Sequence, residues 1–197
     1  MSIITKEELK KLIEEKLLVI TPILDESQFG EITFDFRVGT DFLTQHQGRN
    51  AFIDATKNIN ITRSIKCSYT ETRRKLGEDF LIHPLQPVLF STLEYVKLPT
   101  NIYAVLNLRS SYSRLGLSIS TIVQPGYCGC LSVEIINSGN TSIKILSGTR
   151  FLQARFFKVS ENSDYFSSVR KYACQVRPMP SKANEDDELT KLLKMND

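Results

Sequence analysis

Histidine and cysteine are scarce in this chain, and their placement excludes more than their number. The histidines are His46 and His83, and the four cysteines, Cys67, Cys128, Cys130 and Cys174, make no C-x-x-C pair. A zinc site would have to mix scattered thiols and imidazoles at unsuitable spacings, so we expect no structural metal. Cys128 and Cys130 flank a single glycine, too close for an ordinary disulfide. They read as small residues in or beside a strand of a reduced, cytoplasmic protein. Neither sign of charge dominates: 25 Lys and Arg against 22 Asp and Glu leave a net charge of +3. That is too mild for a nucleic-acid surface but compatible with a local pocket for a small anion. No apolar run reaches membrane-spanning length and the N-terminus lacks a signal-peptide core, so no membrane partner is expected.

What the chain does contain is enough for one core. Its 197 residues are 41% hydrophobic and 24% charged, an ordinary globular balance. Thr5-Lys6-Glu7-Glu8 has the form of a capping box, and Leu9, Leu12, Ile13 and Leu17 follow at helical spacing. This predicts an amphipathic helix over 6–16. Ile32, Phe34, Phe36 and Val38 then alternate with polar residues as a half-buried strand, with Gly39-Thr40-Asp41 as its turn. Residues 45–75 are weakly patterned, with strand-like pieces at Ala51–Asp54 and Ile59–Tyr69. Later strand signals fall at Phe80–Ile82, Val88–Phe90, Tyr95–Val96, Tyr103–Leu108, Leu117–Val123, Leu131–Ile136, Ile143–Leu146 and Phe151–Val159. Pro84, Pro87 and Pro99 punctuate them, and Asn137–Asn140 and Ser147-Gly148 supply hairpin turns. Many short strands at close spacing predict an all-β barrel or sandwich with a helix in front. We expect a single domain over 1–177, then a linker with a C-terminal helix or disordered tail over 178–197.

Two stretches could carry chemistry. Arg109-Ser110-Ser111-Tyr112-Ser113-Arg114 packs two guanidinium groups and three serine hydroxyls into six residues. Those are the donors of a polyphosphate cradle, although a solvated polar connection has the same composition. Downstream, period two puts Leu131, Val133 and Ile135 on one strand face and Ser132 and Glu134 on the other. Glu134 is then either a proton shuttle in a cleft or a surface carboxylate on a wet face.

Arg109-Ser110-Ser111-x-x-Arg114-Leu115-Gly116-Leu117, Pro125-Gly126-Tyr127-x-Gly129 and Glu134-Ile135-Ile136-Asn137-Ser138-Gly139 together resemble the dCTP deaminase branch of the dUTPase superfamily. Ser91–Pro99, Phe34–Gly39 and the opening helix are similar to it as well, in the same order. The resemblance implies a dUTPase-like β-barrel of distorted jelly-roll type, assembled as a homotrimer with nucleotide sites between subunits. It implies Arg109, Ser110, Ser111, Lys171 and Gln175 on the triphosphate, the last two on a mobile C-terminal segment. Glu134 would activate the water that attacks C4 of cytosine, with Ser110 and Arg114 placing water and leaving group. Gln124, Tyr127 and Tyr165 would line the base and deoxyribose, although Tyr127 also reads as a core tyrosine at the barrel end. Mg²⁺ would arrive with the triphosphate.

The sequence also departs from the family. Gln124 stands where an aspartate is usual, and an amide cannot serve as a base. The segment between Leu117 and Gln124 is a few residues short, Leu85-Gln86 replaces Gly-Glu, and the glycine after the Gln175 motif is missing. The expectation is therefore deamination of dCTP to dUTP. Pyrophosphate release from dUTP, the bifunctional reaction and a silent deoxynucleotide-binding regulator (with dTTP among its possible ligands) stand as alternatives.

Overall fold

In the computed structural model, residues 2–46, 53, 55, 65–119, 121–168, 170–186, 192 and 195 are described. The opening strand β1 (Ser2–Ile3) leads into helix α1 (Lys6–Glu14). The Thr5 hydroxyl accepts from the Glu8 N–H, as its position predicts. Glu8 does not complete the capping box; its carboxylate pairs with Lys158 instead. Leu9 is buried, but Leu17 lies beyond the helix and is exposed. Lys16 adopts a positive φ of 57°, which reverses the chain and sends Leu18 into the core in its place.

Among the described residues eleven strands follow: β2 (Val19–Thr21), β3 (Phe34–Gln45), β4 (Tyr69–Arg73), β5 (Asp79–Ile82), β6 (Val88–Lys97), β7 (Ile102–Leu108), β8 (Leu117–Ser118), β9 (Thr121–Val123), β10 (Cys128–Asn137), β11 (Ile143–Leu146) and β12 (Arg150–Lys158). The main sheet runs β8-β10-β6-β3-β12-β7-β9, with β1 on β12, β2 on β6 and β4 on β3; β5 and β11 pair separately. The expected mainly β architecture is present.

Several local expectations are corrected. Gly39–Asp41 is not a turn: β3 runs through it, and its register against β6 slips between Val38 and Phe42. A β-carbon at Gly39 would sit 2.5 Å from the Ser91 carbonyl oxygen, so only glycine permits this close approach. Val88–Phe90 and Tyr95–Val96 are parts of one continuous strand, β6. Leu117–Val123 is instead two short strands, β8 on β10 and β9 on β7, at opposite ends of the sheet. The turns at Asn137–Asn140 and Ser147-Gly148 do not close hairpins, because β11 leaves the main sheet to pair with β5. The buried Asn137 amide fastens the first turn, donating to Ile82 O and Thr141 O and accepting from Gly139 N–H. Of the strand pieces expected at Ala51–Asp54 and Ile59–Tyr69, residues 51, 52, 54 and 59–64 lie outside the described residues; Ile65–Ser68 is a 3₁₀ turn instead, and Tyr69 opens β4. The helix expected around Leu189–Leu193 also lies largely outside them.

The core is aromatic. Phe34, Phe36, Phe42, Phe90, Phe151 and Phe156 are fully buried, and each contributes about 1.5–3 kcal/mol through burial. Phe42 stacks on Phe80 at 4.1 Å, while Phe90 meets Phe151 edge-on at 5.7 Å. Phe151 also carries the ring of Tyr112 at 4.4 Å, which ties the serine-rich turn to the sheet.

Candidate active site

The serine-rich stretch begins where β7 ends. Arg109 leaves the strand with its N–H on Phe151 O, and Ser110–Ser113 form a short helical turn, α2. The first N–H groups of such a turn have no helical carbonyl to meet. Ser110, Ser111 and Arg114 are all exposed. Gly116, at φ 89°, ends the turn, and its carbonyl accepts from Ser138 N–H at 2.9 Å. This contact and the pairing of Ser118 with Ile136 bind the turn to the far end of β10.

Arg109 is held from below. Its Nε lies 3.0 Å from Asp35 Oδ2, and its Nη1 donates to Arg150 O at 3.4 Å. Asp35 is buried on β3 and also accepts from Gln153 Nε2 at 3.3 Å. Arg150 lies 3.9 Å from the same Asp35 oxygen and is fixed by Ser27, whose carbonyl accepts at 2.5 Å and whose hydroxyl accepts at 2.7 Å. Two guanidinium groups thus share one carboxylate beneath the turn. Sequence reasoning missed both Asp35 and Arg150. Alternation puts Asp35 on a polar strand face, and there Arg109, Arg150 and Gln153 close over it, so the carboxylate is buried.

Glu134 projects from the outer face of β10, exposed, between buried Val133 and Ile135. The alternation read from sequence holds here. Near it stand Tyr69 and Tyr172. Burial pushes the Tyr69 phenol up, the Ser181 N–H draws it back, and the negative charges available to Tyr172 and Glu134 raise it further. No hydrogen bond or ion pair joins Glu134 to Ser110, Ser111 or Arg114 among the described residues. The two candidate halves belong to one strand system, since the turn is anchored at the end of β10, at Ile136–Ser138, two to four residues beyond Glu134.

The base-side candidates fall differently. Gln124 is exposed in the loop between β9 and β10. Tyr127 and Tyr165 are buried, with ring centroids 6.4 Å apart. The Tyr127 hydroxyl donates to Cys130 O at 2.7 Å, and burial pushes its phenol well up. The core-tyrosine reading describes this ring better than an open sugar platform. Gln175 sits beside it, accepting from Cys130 N–H through its backbone carbonyl at 2.8 Å. Lys171 is engaged within its own segment, donating to Lys182 O at 3.0 Å and pairing with Asp186. Among the described residues, no three His, Cys, Asp or Glu side chains converge as a metal cage.

One further carboxylate is conspicuous. Glu94 on β6 is fully buried, accepting from Gln28 Nε2 and Arg37 N–H, each at 2.9 Å. Burial pushes its carboxyl up to about 7, against the pull of the Arg37 N–H, the Gln28 amide and the Arg37 charge.

Comparison with known proteins places this geometry. Residues 3–159 match the family model described as dCTP deaminase-like. The chain is 33% identical over 191 residues to a protein of Dictyoglomus turgidum named "dCTP deaminase, dUMP-forming", covering 93% of this chain and 96% of that one. It is 32% identical over 198 residues to a protein of the same name from Methanobrevibacter smithii, covering 97% and 100%. To the "dCTP deaminase" of Acidianus ambivalens it is 37% identical over 155 residues, covering 78% and 83%. Among solved structures, the 2′-deoxycytidine 5′-triphosphate deaminase from Agrobacterium tumefaciens superposes with a TM-score of 0.59 at 23% identity. That match covers 80% of this chain and about half (48%) of the other, and supports the fold.

Proposed function

The chain belongs to the dCTP deaminase-like family, and from that premise we propose how its residues divide the work. It is a hydrolase that deaminates dCTP. The observation that carries the assignment of roles is Glu134 on the open face of β10, two to four residues before the positions that anchor the Arg109–Gly116 turn. Arg109, Ser110 and Ser111 hold the triphosphate, with Arg150 adding positive charge and Asp35 fixing the angle of Arg109. Glu134 takes a proton from water as the oxygen bonds to C4 and delivers it to N3. The carboxylate then moves the remaining hydroxyl proton to the amino nitrogen as the C4–N bond breaks, leaving C4=O and ammonia. Ser110 and Arg114 position the water and the leaving group. Lys171 and Gln175 close over the phosphates, which requires Lys171 to exchange Asp186 for a phosphate oxygen. Gln124 borders the base, and Tyr127 and Tyr165 form the buried wall behind the sugar.

We take the assembly to be a homotrimer with nucleotide sites completed between subunits, as the family resemblance implies. Mg²⁺ fits as an ion carried in by the phosphates, because the described residues offer no side-chain cage. When bound, it neutralises phosphate charge. On this reading residues 1–177 form the catalytic domain, the remainder is an accessory tail, and the protein works in the cytoplasm.

The expected product is revised. Two relatives that align over nearly their whole length are named dUMP-forming, which supports dUMP rather than dUTP as the end point. That requires a second hydrolysis releasing pyrophosphate, without a carboxylate at Gln124. The test follows ammonia and pyrophosphate separately from dCTP and from dUTP with Mg²⁺. Both products from dCTP are expected; ammonia alone would restore dUTP as the product, and neither would leave a silent binder, which a thermal shift with nucleotide would reveal.

A further inference from the structure

Two cysteines separated by 46 residues in sequence meet where the C-terminal segment crosses β10. Cys128 Sγ and Cys174 Sγ stand 2.8 Å apart, against about 2.05 Å in a disulfide. The backbone holds them in place from both sides: Cys174 N–H donates to Cys128 O at 3.0 Å, and Cys130 N–H to Gln175 O at 2.8 Å. Between these bonds lies Gly129, at φ 138°, where a β-carbon would sit 2.6 Å from Gln175 O. The segment reaches the strand closely because that position has no side chain. Cys174 is exposed and Cys128 half-buried, so a small oxidant can reach the pair.

We propose that Cys128 and Cys174 form a reversible intramolecular disulfide that fastens the C-terminal segment to β10. Cys130 is not the partner: it lies two residues along the same strand, and the sulfur that meets Cys174 is that of Cys128. A metal site is not the alternative use, since no three metal-ligating groups converge among the described residues. The oxidant is a small-molecule disulfide such as oxidised glutathione. The Cys174 thiolate attacks one of its sulfurs, forming a mixed disulfide and releasing one reduced thiol. The Cys128 thiolate then attacks the Cys174 sulfur, forming the internal bond and releasing the second; the protein loses two electrons and two protons, and the oxidant gains both. The hydrogen bond between the two thiols pushes the Cys174 thiol up, which lowers its thiolate fraction and slows the first attack.

The fastened segment carries Lys171 and Gln175, and it runs past Tyr69 near Glu134. In the arrangement it would lock, Lys171 is engaged with Lys182 and Asp186. Oxidation therefore keeps this cation from a phosphate. That consequence rests on the proposed function; the cross-link does not.

The test is to incubate the full chain with oxidised glutathione and digest it with trypsin under non-reducing conditions. Peptide 115–144, which holds Cys128 and Cys130, should be joined to peptide 172–182, which holds Cys174. The link should persist in Cys130→Ser, vanish in Cys128→Ser and in Cys174→Ser, and disappear on reduction. Cys174 recovered only as a stable glutathione adduct, or a link to another chain, would overturn the proposal. Turnover of dCTP should fall about tenfold on oxidation and return on reduction, and in Cys174→Ser oxidation should leave it unchanged. A mapped cross-link with unaltered turnover would overturn the locking role. Reduced protein without turnover would instead overturn the proposed function, and the peptide map would still decide the cross-link.

Discussion

Glu94 and Glu134 are carboxylates on neighbouring strands, β6 and β10, with opposite surroundings. Glu94 is sealed, with both oxygens accepting protein donors and its carboxyl pushed up to about 7. Glu134 faces outward on a strand whose other face is core. A search for an acid–base residue by perturbed ionisation alone would select Glu94, the group poised near neutrality. Geometry reverses the choice. A general base must come within hydrogen-bond reach of the proton it moves, and Glu94 has no exposed surface to offer a substrate. Its perturbation reports burial and internal bonding.

The sharpest way to break this contrast is Glu134→Gln. The amide keeps size and hydrogen bonding but cannot accept a proton at neutral pH. Ammonia release should fall by roughly 10²–10⁴-fold, while the unfolding free energy stays within about 0.5 kcal/mol of the parent, as for other exposed positions. Retained nucleotide binding by thermal shift would complete the result. Ammonia release at the parental rate would remove Glu134 from the chemistry.

Glu94→Gln should do the opposite, altering stability and its pH dependence. The folded-state carboxyl is raised from 4.5 to about 7, so between these values the unfolded chain binds fewer protons than the folded one. Stability from this group is therefore fully present below about 4.5, is lost as pH rises towards 7, and then levels off, a change on the order of 3 kcal/mol. The glutamine variant lacks that slope. It also turns an amide N–H towards one of the two donors, stranding a buried donor at a cost of about 1–3 kcal/mol. It should thus be less stable than the parent at pH 5, with the gap closing or reversing above pH 7. Parallel stability curves from urea unfolding would contradict the assignment.

The same contrast explains what could be read before the structure. Strand periodicity made the outward face of Glu134 legible because its neighbours obey period two through Leu131, Val133 and Ile135. The Arg109–Ser111 donors were legible from composition and from their resemblance to a known family. Asp35, Arg150 and the Cys128–Cys174 pair were not, because each contact joins residues 46 to 118 positions apart. Local patterns reveal which way a side chain points along its own strand, but not which strand lies across from it. The corrected turns have the same origin: Ser147-Gly148 has the composition of a hairpin, yet the long-range partner of β11 is β5.

The smallest expected effect tests how the buried side supports the open one. Gln28 connects them, donating through one amide nitrogen to Glu94 Oε1 at 2.9 Å and to Asp35 O at 3.0 Å. Asp35 in turn holds Arg109 at 3.0 Å. Asp35→Asn retains an acceptor but removes the charge between two guanidinium groups, so Arg109 should lose its fixed angle while the turn itself, anchored by Tyr112 on Phe151, stays in place. An interaction with the triphosphate that is equal in ground and transition states appears in KM and leaves kcat alone. The expected outcome is a rise of about tenfold in KM for dCTP, or about 1.4 kcal/mol, with kcat little changed. Raising ionic strength should narrow the difference, because part of the lost affinity is charge–charge attraction. A fall in kcat at constant KM would instead mean that Asp35 acts on the reacting atoms, and the division between a supporting carboxylate and a reacting one would fail at this position.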